Sequence, residues 1–182
     1  MASSLLEKFC PKNVPSQPVA RLQLAQTQIE ALTMALDVIR QPLQEFEQSL
    51  DRNQQARLAA ALSAPSPSNG NASTSVSAAC GVTATTVDRA IDELDQSLQP
   101  TAAQRSAMDA TRHAFGTAAN DLDAQCPTSL PATPLERLEA TQARLDAEWR
   151  AILTIQVALA TLESGLSDEQ RVRFNALDLA SR

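Results

Sequence analysis

The side chains that could do chemistry in this 182-residue sequence are few: one histidine, three cysteines and scattered carboxylates. His113 is the single histidine, and zinc or nickel sites need several His, Cys or carboxylate ligands in close spacing. Asp121 with Asp123, and Asp92 with Glu93 and Asp95, have the spacing of a solvated helix face rather than of a hard-cation site. A Ser-His-acid nucleophile would have to use His113 and would need a strand-turn-helix to present its serine, which no segment here resembles. The four glycines form no phosphate-binding loop. The expectation is a protein that is not an enzyme and carries no metal and no cofactor. A lone histidine on a helix is ordinarily a surface or satisfied residue.

The cysteines become interpretable once the chain is aligned with itself. Residues Cys10 to Leu62 superimpose on Cys126 to Asp178 at an ungapped offset of 116, with 16 of 53 positions identical. The identities include Cys10/Cys126, Pro11/Pro127, Pro15/Pro131, Pro18/Pro134, Arg21/Arg137 and Arg57/Arg173, which a bias toward Ala, Leu and Gln does not produce. The second copy extends 46 residues back from Cys126 to Cys80, whereas nine residues precede Cys10. The simplest reading is one disulfide per copy, Cys80 with Cys126, leaving Cys10 a free thiol because its partner would lie upstream. Three reduced, buried thiols are the alternative. With the disulfide, the compartment is oxidising, which in a bacterium means the periplasm.

The organisation expected from this alignment is a truncated first repeat over 1–62, a flexible linker over 63–79 and a complete second repeat over 80–182. The linker APSPSNGNASTSVSAA has no charge and no large apolar residue except Val76. No apolar run is long enough for a signal peptide or a membrane span, so a signal peptide is expected upstream of this sequence.

Hydrophobic residues make up 43% of the chain, yet only five are aromatic and none is tyrosine, a composition suited to helices packed through Ala and Leu. In the first copy Leu22, Ile29, Leu32, Leu36, Ile39, Leu43 and Phe46 form a heptad-like seam, with Ala25 and Leu50 in step. Such a seam predicts one helix over about 19–50, bent at Pro42. The second copy repeats it over 134–164 but places Thr141 and Glu148 at two seam positions, with Trp149 adjacent to supply bulk. Shorter helices are predicted over 86–98, 101–125 and 168–180.

Helix starts share a capping grammar. Leu166-Ser167-Asp168-Glu169-Gln170 sets a hydroxyl three residues before a glutamine, Leu98-Gln99-Pro100-Thr101-Ala102-Ala103-Gln104 does the same, and Leu50-Asp51-Arg52-Asn53-Gln54 is the first-copy version. Thr133-Pro134-Leu135-Glu136 adds a proline at the first helical position. Read alone, these motifs punctuate helices and carry no chemistry.

Taken in order with the cysteines, LQPTAAQ and LSDEQ resemble the LTxxQ motif of the Spy/CpxP family of periplasmic proteins, in a tandem form similar to an alpha-proteobacterial subgroup. The motif residues are Leu98, Thr101, Gln104, Leu166, Ser167 and Gln170, with Leu50, Asp51 and Gln54 as the weaker match. The resemblance implies an all-α fold of long antiparallel helical hairpins, two tandem copies of a four-helix unit with the first truncated at its N-terminus. It further implies an ATP-independent chaperone or stress-response binding protein whose partners are unfolded or partner proteins. An envelope-stress sensor or adaptor for one partner, and a structural helical spacer, are the other readings. Net charge of −6 argues against nucleic acid or an anionic membrane as partner. The seam needs a partner, so the two repeats are expected to pack as a pseudo-twofold pair, or the chain to form a homodimer.

Overall fold

The computed structural model describes residues 15–63, 84–127 and 131–177. Cys10, Cys80 and the expected linker beyond Ser63 lie outside the described residues. Among those residues there are six helices and no strand: α1 (Pro18–Ser49), α2 (Arg52–Ser63), α3 (Ala84–Leu98), α4 (Arg105–Ala124), α5 (Pro134–Ser164) and α6 (Asp168–Asn175). The fold is all-α.

Local sequence places most of these ends. Proline opens both long helices, at Pro18 and Pro134, where the missing N–H costs nothing. Thr133 caps α5 with a complete capping box, its side chain accepting from the Glu136 N–H while Glu136 reaches back. Pro42 does not end α1, which continues through it to Ser49. The last helix stops at Asn175, short of the expected Ala180, with Ala176 as its C-cap.

The end of α3 is paid for in backbone strain. Gln99 has φ 49°, and its N–H donates to the Asp95 carbonyl at 2.9 Å, the single-bond left-handed helix stop. A left-handed residue with a Cβ costs about 1–2 kcal/mol relative to the right-handed conformation. Gln99→Gly is therefore expected to stabilise the protein by about 1 kcal/mol, read as a rise in the urea midpoint at unchanged slope. An unchanged or lowered midpoint would contradict this account of the turn.

Two hairpins meet in one core. Leu94 and Leu98 of α3, Met108 of α4, Leu159 and Leu162 of α5, Leu166 in the α5–α6 turn and Phe174 of α6 bury one another, and Val19 and Leu22 of α1 pack on their flank. A second cluster joins Val87, Ile91 and Ala119, with Phe115 against it, and closes the α3–α4 hairpin.

Helices α1 and α5, the 116-offset equivalents, lie antiparallel against each other. Gln156 donates to Gln26 at 3.4 Å near one end, and Arg40 donates to Gln142 near the other. Gln142 also donates to Asp37 Oδ1 at 2.9 Å, and Arg40 pairs with Glu139 at 3.3 Å. Offset by 116, Gln26 corresponds to Gln142 and Arg40 to Gln156, so the two polar contacts link corresponding positions in reverse order. Between them this register sets Ala31 level with Ala151 and Ala35 level with Ala147. Ala31, Ala147 and Ala151 are buried, allowing close approach of the two backbones. The crossing thus rests on small residues that the seam of large ones did not include, although Ala31/Ala147 and Ala35/Ala151 are identities of the repeat.

The seam itself departs from expectation. Ile29 is buried and Leu22, Leu36 and Leu43 are half-buried, but Leu32, Ile39 and Phe46 are exposed. A seam is fully covered only where a partner runs along its whole length. Among the described residues, α1 meets α5 along a face centred on alanines, and the side bearing Ile39 and Phe46 is left open. In α5, Glu148 occupies its seam position by pairing with Arg144 at 3.0 Å, and Trp149 beside it is half-buried.

Helix α1 also caps α5 from outside. Glu47 Oε1 accepts the Leu135 N–H at 2.7 Å, satisfying one of the orphan donors in the first turn of α5 and setting a negative charge at its positive end. Glu47→Ala is expected to cost about 1 kcal/mol and Glu47→Gln less, since the amide oxygen still accepts. Equal losses in chemical denaturation would mean the contact contributes charge alone.

Candidate interaction surface

The motif turns do more than end helices. Ser167 accepts from the Gln170 N–H at 3.3 Å, and Gln170 Oε1 accepts from the Ser167 N–H at 2.9 Å, a complete capping box on α6. At Thr101 only one arm of the expected box forms: Gln104 Oε1 accepts from the Thr101 N–H at 2.9 Å. The helix proper begins at Arg105 rather than Thr101, with Gln104 itself in the N-cap position and residues 102–104 in a turn. The physical reason is the left-handed Gln99 followed by Pro100, which brings the chain into Thr101 as a tight turn closed by Gln104 N–H to Thr101 O at 3.0 Å.

That turn lies against the start of α6, and the two glutamines interlock. Gln104 Nε2 donates to Gln170 Oε1 at 2.8 Å and Gln170 Nε2 donates to Gln104 Oε1 at 3.0 Å. Gln104 Nε2 also donates to the Gly165 carbonyl at 2.7 Å, and Gln170 Nε2 to the Leu98 carbonyl at 2.9 Å. Gln170 is buried, and the motif leucines Leu98 and Leu166 are buried in the core beneath it. The pair ties the α3–α4 turn to the α5–α6 turn at one end of the bundle. Spacing alone could not reveal this, because a capping box is complete without a second partner. The signal was the choice of residue: glutamine keeps an NH₂ to spare after capping, whereas the Glu136 carboxylate of the α5 cap has only acceptors.

The first-copy motif has the same local geometry in a different setting. Asp51 Oδ1 accepts from the Gln54 N–H at 2.9 Å, and Gln54 Oε1 accepts from the Asp51 N–H at 2.9 Å, opening α2. Leu50 is half-buried, and Asp51 and Gln54 are exposed. No second glutamine turn meets Gln54 among the described residues.

The remaining surface is shallow. Met34, Val38 and Phe46 on α1 and Leu153 and Val157 on α5 stand exposed along the two long helices. His113 lines an open groove of about 760 Å³ between α3 and α4, together with Asp88, Asp109 and Arg112. Arg112 lies 4.0 Å from Asp92, an exposed pair of little energetic weight. Among the described residues no three His, Cys, Asp or Glu side chains converge on a metal-binding position, and no helix is long and apolar enough to cross a membrane. Cys126 is half-buried just beyond the end of α4, while its expected partner Cys80 and the expected free thiol Cys10 fall outside the described residues.

Compared with known proteins, the family model described as LTXXQ motif family protein matches residues 86–178, just over half of the 182 residues, from near the start of α3 to beyond the end of α6. No curated protein and no solved structure matches the chain.

Proposed function

The chain belongs to the LTXXQ motif family, and from that premise we propose that it is a Spy/CpxP-like periplasmic protein that holds non-native chains on its helical surface, without ATP and without catalysis. Family membership is the observation that carries this reading. The form of the surface supports it: single apolar side chains, Met34, Val38, Leu153 and Val157, spaced along two long antiparallel helices among polar ones. Such a surface offers many weak apolar contacts spread along two helices, which suits extended, varied clients better than one small ligand. The net charge of −6 biases it toward neutral or basic clients.

The test is suppression of aggregation with two unrelated clients, one basic and one acidic, in the absence of nucleotide. Suppression of both at a few-fold molar excess is expected, stronger for the basic client and weakening with salt for that client alone. Suppression of neither would end the chaperone reading. Val38→Asp and Val157→Asp, both at exposed positions, are expected to reduce suppression while leaving the helical circular dichroism unchanged.

A further inference from the structure

One side of the α1–α5 pair orders apolar and acidic side chains in a pattern. On α5, Ile155 and Leu159 pack toward the α3–α4 hairpin. Leu153 and Val157, each two residues from one of these, point the opposite way, because two residues turn a helix through about 200°. Arg150 and Asp146 precede Leu153 at three and seven residues and share its stripe. The 116-offset counterparts of Asp146, Arg150 and Leu153 are Glu30, Met34 and Asp37 of α1. Both stripes lie on one side of the pair, where Gln142 donates to Asp37 Oδ1 at 2.9 Å. Met34, Val38 and Val157 are 61%, 75% and 70% exposed, and Leu153 is 41% exposed. The contacts of Gln26 with Gln156 and of Arg40 with Gln142 place Val157 level with Ala25. Val38 then lies about 20 Å further along the helices, at ~1.5 Å per residue. Between these apolar ends stand the exposed carboxylates of Glu30, Asp37 and Asp146, none of them in an ion pair among the described residues. Arg40 is taken up by Glu139, which leaves Arg150 to oppose the three.

We propose that this face docks an extended segment of a non-native chain in which two or three lysines or arginines are flanked on both sides by apolar residues. About seven extended residues span the face at ~3.3 Å each. One end of the segment lies on Leu153 and Val157, the other on Met34 and Val38, and the basic centre meets Glu30, Asp37 and Asp146. Charge complementarity selects this occupant. A second copy of the face would set like charges together, and an acidic or wholly apolar segment would leave the carboxylates without counter-charge. The inference rests on the client-binding reading above and adds to it a face and a class of client sequence.

The probe is the fluorescein-labelled peptide Val-Leu-Ser-Lys-Arg-Lys-Ser-Leu-Val, titrated with the full chain and followed by anisotropy at low and physiological salt. Saturable binding is expected, roughly tenfold weaker with Glu-Asp-Glu at the centre and with serine replacing the terminal valines and leucines. In the chain, Glu30→Gln, Asp37→Asn and Asp146→Asn together should weaken the basic peptide roughly tenfold and flatten its salt dependence. The asparagine oxygen at position 37 still accepts from Gln142, and unchanged circular dichroism confirms the fold. Arg150→Gln should tighten binding about threefold. Absence of saturation up to roughly 100 µM overturns the proposal. So does equal binding of the acidic-centred peptide, or full affinity in the triple variant. The two readings fail separately. A chain that suppresses aggregation but fails these titrations keeps the chaperone reading and loses this face. Selective peptide binding without suppression of either client keeps the face and ends the chaperone reading.

Discussion

Gln170→Glu is expected to destabilise the protein by about 3 kcal/mol, while the same substitution at Gln54 stays within about 0.5 kcal/mol. Both residues close a capping box with a side-chain oxygen, and a glutamate at either position can still accept the cap N–H. The difference lies in the other end of the amide. Gln170 Nε2 donates to the Leu98 carbonyl and to Gln104 inside a buried site, and a carboxylate has no donor for either. Two hydrogen bonds are lost, the Leu98 carbonyl loses a buried donor, and the introduced carboxylate oxygen faces Gln104 Oε1 with no proton between them. Gln54 is exposed, so water replaces whatever its amide donates. Equilibrium unfolding in urea measures both, and a double-mutant cycle with Gln104→Ala should return a coupling of about 1–2 kcal/mol for the glutamine pair. If the two substitutions cost the same, the motif glutamine is only a cap and the interlock contributes nothing.

The contrast also marks where sequence reading ended. Proline at Pro18 and Pro134, and the Ser167 and Thr133 caps, act within four residues of themselves, so helix starts could be read from the chain directly. The start of α4 could not, because Gln99 adopts a left-handed conformation that its residue type does not favour, and the turn behind it displaces the helix to Arg105. Burial along α1 was also illegible. Leu32, Ile39 and Phe46 satisfy the heptad spacing as well as Ile29 does, but spacing describes one helix and burial depends on two. The α1–α5 crossing is centred on Ala31, Ala147 and Ala151, which contribute little to any hydrophobic pattern yet set how closely two backbones approach. Repeat identity carried part of that information, since Ala31/Ala147 and Ala35/Ala151 recur in register while Ile29, Leu32 and Leu36 beside them change.

Reduction of the native chain is expected to lower its melting temperature by roughly 10 °C, through loss of the proposed Cys80–Cys126 disulfide. The described part of the α3–α4 hairpin supports the pairing. Val87, Ile91 and Ala119 bury one another with Phe115 beside them, so the beginning of α3 and the end of α4 are at the same end of the hairpin. In sequence Cys80 precedes Ala84, the first residue of α3, by four residues, and Cys126 follows Ala124, the last of α4, by two. Closing a loop of this length stabilises by ~4 kcal/mol in the chain-entropy treatment, enough to decide whether a hairpin packed by one small cluster stays closed. Thiol titration in denaturant should find one reactive thiol per chain before reduction, Cys10, and three after. Three before reduction would sink the pairing. Cys126→Ser should reproduce the loss seen on reduction, and Cys10→Ser should leave the melting temperature unchanged. If the assignment is instead Cys10 with Cys126, the two serine variants will lose stability together. The outcome bears on compartment as well as stability, because a hairpin whose closure depends on this bond keeps its full stability only where thiols are oxidised, as in the periplasm.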